Sequence, residues 1–197
     1  MSSSLPAATN ESASTHAHVN HNLTGFIIFL CSESVIFLAF FSGYAILKTS
    51  ALDWLPPGVE GLEWRTPLVN TAVLISSSGT IMLAEHFKVR ERLWLFRGFW
   101  LLTMLMGGYF LVGQAVEWHG LAFGFDSGTF GGTFYLLTGF HGLHVATGIL
   151  LMTIMLIKSF IPGNYVGGEQ GVQATSLFWH FVDVIWIILF LLIYVWQ

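Results

Sequence analysis

SLFWHFVDVIWIILFLLIYVW, Ser176 to Trp196, decides how the rest of the chain is read. It is apolar on every side except at His180 and Asp183. An α-helix needs about 20 such residues to cross the hydrocarbon core of a bilayer. A helix at the surface of a soluble domain carries a polar face, and this one has none. Hydrocarbon offers the backbone no hydrogen-bond partner, so such a segment crosses as a helix that closes every bond within itself.

Four further stretches of the same character begin near Gly25, Pro67, Trp94 and Thr129. Together they predict an all-α polytopic membrane protein of five transmembrane helices, over residues 25–47, 67–84, 94–116, 129–157 and 176–196. Hydrophobic residues make up 54% of the chain and charged residues 9%, where a soluble domain carries about 25% charged residues. Residues 23–197 read as one membrane domain without internal repeats. Residues 1–22 are polar and lack Lys and Arg, which predicts a disordered tail rather than a secretory signal or transit peptide. His16, His18 and His21 fall within it. The net charge of −4 gives no sign of a nucleic-acid partner. Cys31 is the only cysteine and reads as a small buried hydrophobe.

Basic residues in the short loops predict orientation. Lys88, Arg90, Arg92 and Arg97 follow the second helix and Lys158 follows the fourth, against Lys48 and Arg65 on the other side. This places the N-terminus in the cytoplasm and the C-terminus outside. Pro67 suits a first helical turn. The run Ser76-Ser77-Ser78-Gly79 and the glycines Gly131, Gly132, Gly139, Gly142 and Gly148 predict close helix contacts, since small residues let backbones approach in lipid.

Ionisable groups at membrane depth carry the chemical information, because each costs roughly 2.5–3.5 kcal/mol at a helix centre. Glu33 and Asp183 lie at similar depths in the first and fifth helices. His141 and His144 share a face of the fourth helix, and His180 and Asp183 a face of the fifth. Imidazole and carboxylate can ligate iron, zinc or copper, so His141, His144, His180 and Asp183 stand as either metal ligands or polar pairs between helices. Neither HxxxH nor ExxH occurs among these positions. Glu117, beside Trp118 and His119, reads as a solvated helix end at the outer interface.

The strings TGFHGLHVATG (Thr138 to Gly148), LFWHFVDVIW (Leu177 to Trp186), QAVEW (Gln114 to Trp118), TPLVNTAVLISSSG (Thr66 to Gly79) and the pair Ser32-Glu33 resemble subunit III of haem–copper terminal oxidases. The likeness runs from about Leu23 to Gln197. It implies an accessory subunit of a bacterial proton-pumping oxidase that reduces O₂ to water, in an inner or internal respiratory membrane. Cytochrome c is the implied electron donor, with a quinol oxidase or a nitric oxide reductase accessory subunit as alternatives. A stand-alone His-ligated metalloenzyme is the reading from a different class.

The same resemblance implies no catalytic residue, metal or cofactor on this chain. Haem and copper belong to subunits I and II. Subunit I is the direct partner, with subunit II and a small subunit IV beyond it, and structural phospholipid is bound. His141, His144, His180 and Asp183 then become helix-packing groups, and Glu33 the family's intramembrane carboxylate. Lys158 and Arg97 are the headgroup candidates. Longer members of the family have seven helices, and this chain has the last five.

Overall fold

The computed structural model describes residues 11–59, 61–161 and 168–196, with the side chains of 11–22, 168 and 169 left aside. The elements are α1 (Glu11–Ser50), α2 (Arg65–Val89), α3 (Leu93–Gly120), α4 (Gly128–Lys158) and α5 (Gly168–Phe190). One π-helical turn, Leu191–Val195, continues α5. Among the described residues five helices are long and apolar enough to cross a membrane, as expected.

Their ends differ from the sequence reading in one direction. α2 continues to Val89, α5 begins at Gly168, and α1 begins at Glu11 rather than near Gly25. Once an apolar run has nucleated a helix, each added polar residue fixes one more backbone bond at little cost. The polar tail expected over residues 1–22 lies outside the described residues over 1–10, and from Glu11 its backbone is helical.

Helices α2, α3, α4 and α5 form a closed ring in which each packs on the next and α5 returns to α2; α1 leans on α5 and α4 from outside. The α2–α3 connection is short: Glu91 takes a left-handed φ of 57° between Arg90 and Arg92. Pro67 sits in the first turn of α2 and is buried.

Large aromatics fill the ring, with Trp100, Trp179, Trp186, Phe96, Phe110 and Phe134 fully enclosed. Glycines make room for Trp179. A Cβ on Gly107 of α3 would stand 2.5 Å from its indole, and one on Gly148 of α4 would stand 2.8 Å from it. Gly131 lets α4 pass against the backbone carbonyl of Gly124, Gly132, Gly139 and Gly142 make looser contacts, and a Cβ on Gly79 would meet open space.

The three indoles enclosed in the ring each spend their hydrogen on a neighbouring helix. Trp179 donates to Ser77 Oγ at 2.8 Å, Trp186 to Thr71 Oγ1 at 2.8 Å, and Trp100 to the Met152 carbonyl at 2.9 Å. An unmet indole N–H in hydrocarbon would be costly, so these bonds fix rotation as well as contact.

Candidate functional site

The polar side chains at membrane depth fall into three separate settings. The first joins α1 to α4. Glu33 Oε2 lies 3.2 Å from His144 Nε2, and both side chains are largely buried. His144 Nδ1 lies 2.9 Å from the Phe140 carbonyl. A carbonyl only accepts, so Nδ1 carries the hydrogen. Nε2 and the carboxyl therefore share one proton, held as imidazolium with carboxylate or as imidazole with carboxylic acid. Phe37, Phe140 and Phe178 surround the imidazole, the first two edge-on with centroids 5.0 and 4.8 Å away.

The second setting joins α2 to α5. Ser78 Oγ donates to Asp183 Oδ2 and lies 2.9 Å from His180 Nδ1. The single hydroxyl hydrogen goes to the carboxylate, so His180 Nδ1–H donates to Oγ and the three groups form a directed chain. Asp183 is 4% exposed, and its Oδ1 has no partner among the described residues.

The third is His141, fully buried on α4. Its ring lies along that of Trp186, centroids 4.8 Å apart, and meets Phe110 edge-on at 5.7 Å. Neither ring nitrogen has a hydrogen-bond partner among the described residues. His141 and His144, predicted to share a face, thus serve different neighbours.

Other predicted positions are also placed. Arg97 reaches from the start of α3 to the end of α4, where Nε donates to Ser159 Oγ at 3.0 Å and the guanidinium also donates to the Ser159 carbonyl. It stacks on Phe160 with its carbon 4.0 Å from the ring centre. Its donors serve the bundle, whereas Lys158 is exposed. Glu117, expected as a solvated helix end, is half-buried and accepts from Tyr194 Oη at 2.8 Å and from Gln114 Nε2 at 3.3 Å. Cys31, expected to be buried, is exposed on the outer face of α1.

Ser77 and Ser78 were read only as small residues, yet both act through their hydroxyls. The signal was available, because a serine at the depth of an intramembrane carboxylate is a candidate donor to it. Among the described residues no group of three His, Cys, Asp or Glu side chains could hold a metal ion. The candidate ligands of the sequence reading are divided among Glu33, Ser78 and the Trp186 face.

This arrangement suits a helix bundle that keeps its polar groups for itself, and its relatives agree. The sequence profile of the family described as Cytochrome c oxidase subunit III matches residues 7–197. The chain belongs to this family, the accessory subunit III of haem–copper oxidases. It is 40% identical over 181 residues to "Cytochrome c oxidase subunit 3" of Thermostichus vulcanus, covering 91% of this chain and 90% of that one. The Synechocystis sp. protein of the same name is 40% identical over 185 residues, 91% of this chain and 77% of its own length. The Rhizopus stolonifer protein is 35% identical over 182 residues, 87% of this chain and 63% of its own.

Proposed function

We propose that this chain is the redox-centre-free accessory subunit of a proton-pumping cytochrome c oxidase. It packs on subunit I, with subunit II and a small subunit IV in the same complex, and electrons pass through haem and copper on its partners. One observation carries this reading beyond family membership. Three of the four side chains that might have ligated metal are spent on bonds between helices, His144 with Glu33 and both His180 and Asp183 with Ser78, and the fourth, His141, is enclosed against Trp186. Relatives named for cytochrome c oxidase support that donor over quinol.

In this reading the chain stabilises subunit I, supports proton uptake near its cytoplasmic mouth, and binds phospholipid through Lys158. Its N-terminus is cytoplasmic, its C-terminus is outside, and its membrane is a bacterial inner or internal respiratory membrane. The cyanobacterial relatives and the basic loops support this placement.

The test is affinity purification of the tagged full chain from gently solubilised membranes. A haem- and copper-bearing partner is expected to co-purify, and the chain is expected to carry no metal after its partners are stripped away. Stoichiometric iron or copper on the stripped chain would overturn the proposal. A reporter fused at either end that is active on the opposite side would overturn the orientation.

A further inference from the structure

We infer that the outer face of α2, flanked by Tyr109 of α3 and His180 of α5, is the docking surface for a membrane-spanning helix of a neighbouring subunit. α2 stands between α3 and α5 in the ring and touches both. Met106 and Gly113, three before and four after Tyr109, both meet α2. Met106 Sδ takes the Thr80 hydroxyl at 3.9 Å, and a Cβ on Gly113 would run into the Asn70 amide. Residues so spaced share one flank of a helix, so Tyr109 leans over α2. His180 reaches α2 from the other side, where its Nδ1 lies 2.9 Å from Ser78 Oγ. Asn70 and Thr80 bracket the middle of α2, so Tyr109, Ser76 and the Ser78–His180 bond stand at about one level, deep in the span.

Each flank carries an unspent polar atom. Tyr109 is 52% exposed, and its hydroxyl has no hydrogen-bond partner among the described residues. His180 is half-buried and gives its Nδ1–H to Ser78. Its Nε2 is therefore a bare acceptor, and it too lacks a partner among the described residues. Tyrosine is at home near the ends of a span, where its hydroxyl meets water. In hydrocarbon a lone phenol or imidazole is costly. The outward hydroxyls of Ser32, Ser76 and Thr147 avoid that cost by bonding carbonyls of their own helices at 2.7, 2.7 and 2.9 Å. A phenol is too long and too rigid to fold back in this way, so its acceptor comes from another chain.

Between the flanks α2 presents Ala72, Ser76 and Gly79, all exposed, and a Cβ on Gly79 would meet open space. Acyl chains would cover this surface without offering a donor or an acceptor. A helix offers both. Its backbone comes close over small residues, and a Ser, Thr, Asn or Gln side chain on it can accept from Tyr109 or donate to His180. In the reading proposed above that helix belongs to subunit I, and the inference rests on that reading.

The test places photoreactive benzoylphenylalanine in the position of Tyr109 in the full chain, irradiates intact membranes and identifies the adduct by mass spectrometry. The adduct is expected on a membrane-spanning segment of the haem-bearing partner. Adducts to lipid alone, or to a second copy of this chain, would overturn the inference. Gly79→Leu obstructs the face and leaves this chain's own packing alone. It is expected to lower recovery of the partner about tenfold under detergent challenge, and unchanged recovery would overturn the inference. Should that variant not accumulate, Tyr109→Phe keeps the ring and drops the hydroxyl. About fivefold lower recovery is then expected, and no change would overturn the inference. Absence of any haem-bearing partner from the parent preparation would sink the accessory reading itself. A partner that purifies with the parent and ignores all three changes would sink this placement alone.

Discussion

α1 and α5 are both strongly apolar spans, yet 11% of the α1 window is buried inside the protein and 56% of the α5 window. α5 touches α2, α4 and α1 and sends Trp179 and Trp186 into the ring; α1 rests on two neighbours and leaves Ile28, Val35 and Leu38 exposed. Hydropathy measures compatibility with hydrocarbon, and lipid and a packed core satisfy it equally. What separates the two helices is shape and hydrogen bonding. α5 is held by steric fit to Gly107 and Gly148 and by indole bonds. Within the membrane, α1 is held chiefly by one shared proton and the edges of aromatic rings.

Four substitutions rank this contrast. Trp179→Ala should have the largest effect. It empties the space between α3 and α4 and removes the indole donor to Ser77, and about 3–5 kcal/mol of stability should be lost, read as the denaturant midpoint of the purified complex. An unchanged midpoint would mean that α5 is no better fixed than α1.

Asp183→Leu comes next. It removes the acceptor of Ser78 and leaves that hydroxyl hydrogen unmet in an apolar setting. A loss of about 2–3 kcal/mol is expected, seen as release of this subunit under a detergent challenge that the parent survives. Undiminished co-purification would count against the Ser78 chain.

Glu33→Gln should act more weakly and only on α1. An amide can still donate to His144 Nε2, so about 1 kcal/mol or less of docking is lost. Protease or crosslinking access to α1 should rise while haem content and peak electron transfer stay as they were. Loss of haem from an assembled complex would contradict an accessory role. Leu38→Ala, on the outer face of α1, should change stability by less than about 0.5 kcal/mol, and a larger effect would show that a partner covers that face.

Much of this architecture was legible before any coordinates. The number and order of spans follow from apolar length, because backbone satisfaction in lipid leaves one solution. That Glu33 and Asp183 avoid lipid was legible too, since an isolated charge there is expensive. Which partner each would find was not. A spacing of three places two side chains about 60° apart on a helix. That was close enough for His180 and Asp183 to meet one hydroxyl. It was wide enough for His144 to reach α1 while His141 turned inward against Trp186. Identical spacing gave opposite outcomes because the arrangement of neighbours belongs to the whole bundle. Arg97 misled for a related reason: a basic residue at a helix start fits a headgroup as well as it fits the end of an adjoining helix.

The π-helical turn at Leu191–Val195 makes one end of α5 sensitive to how it is wound. Such a turn holds one residue more than a regular turn, so rewinding it as α-helix at constant length would rotate everything beyond it by about 100°. That rotation would turn Tyr194 away from Glu117. Excising a single leucine while ordinary pitch is restored cancels the rotation and keeps the phenol on the carboxylate of α3. The loss of one residue within this turn is therefore milder than the same loss in a regular stretch of the span.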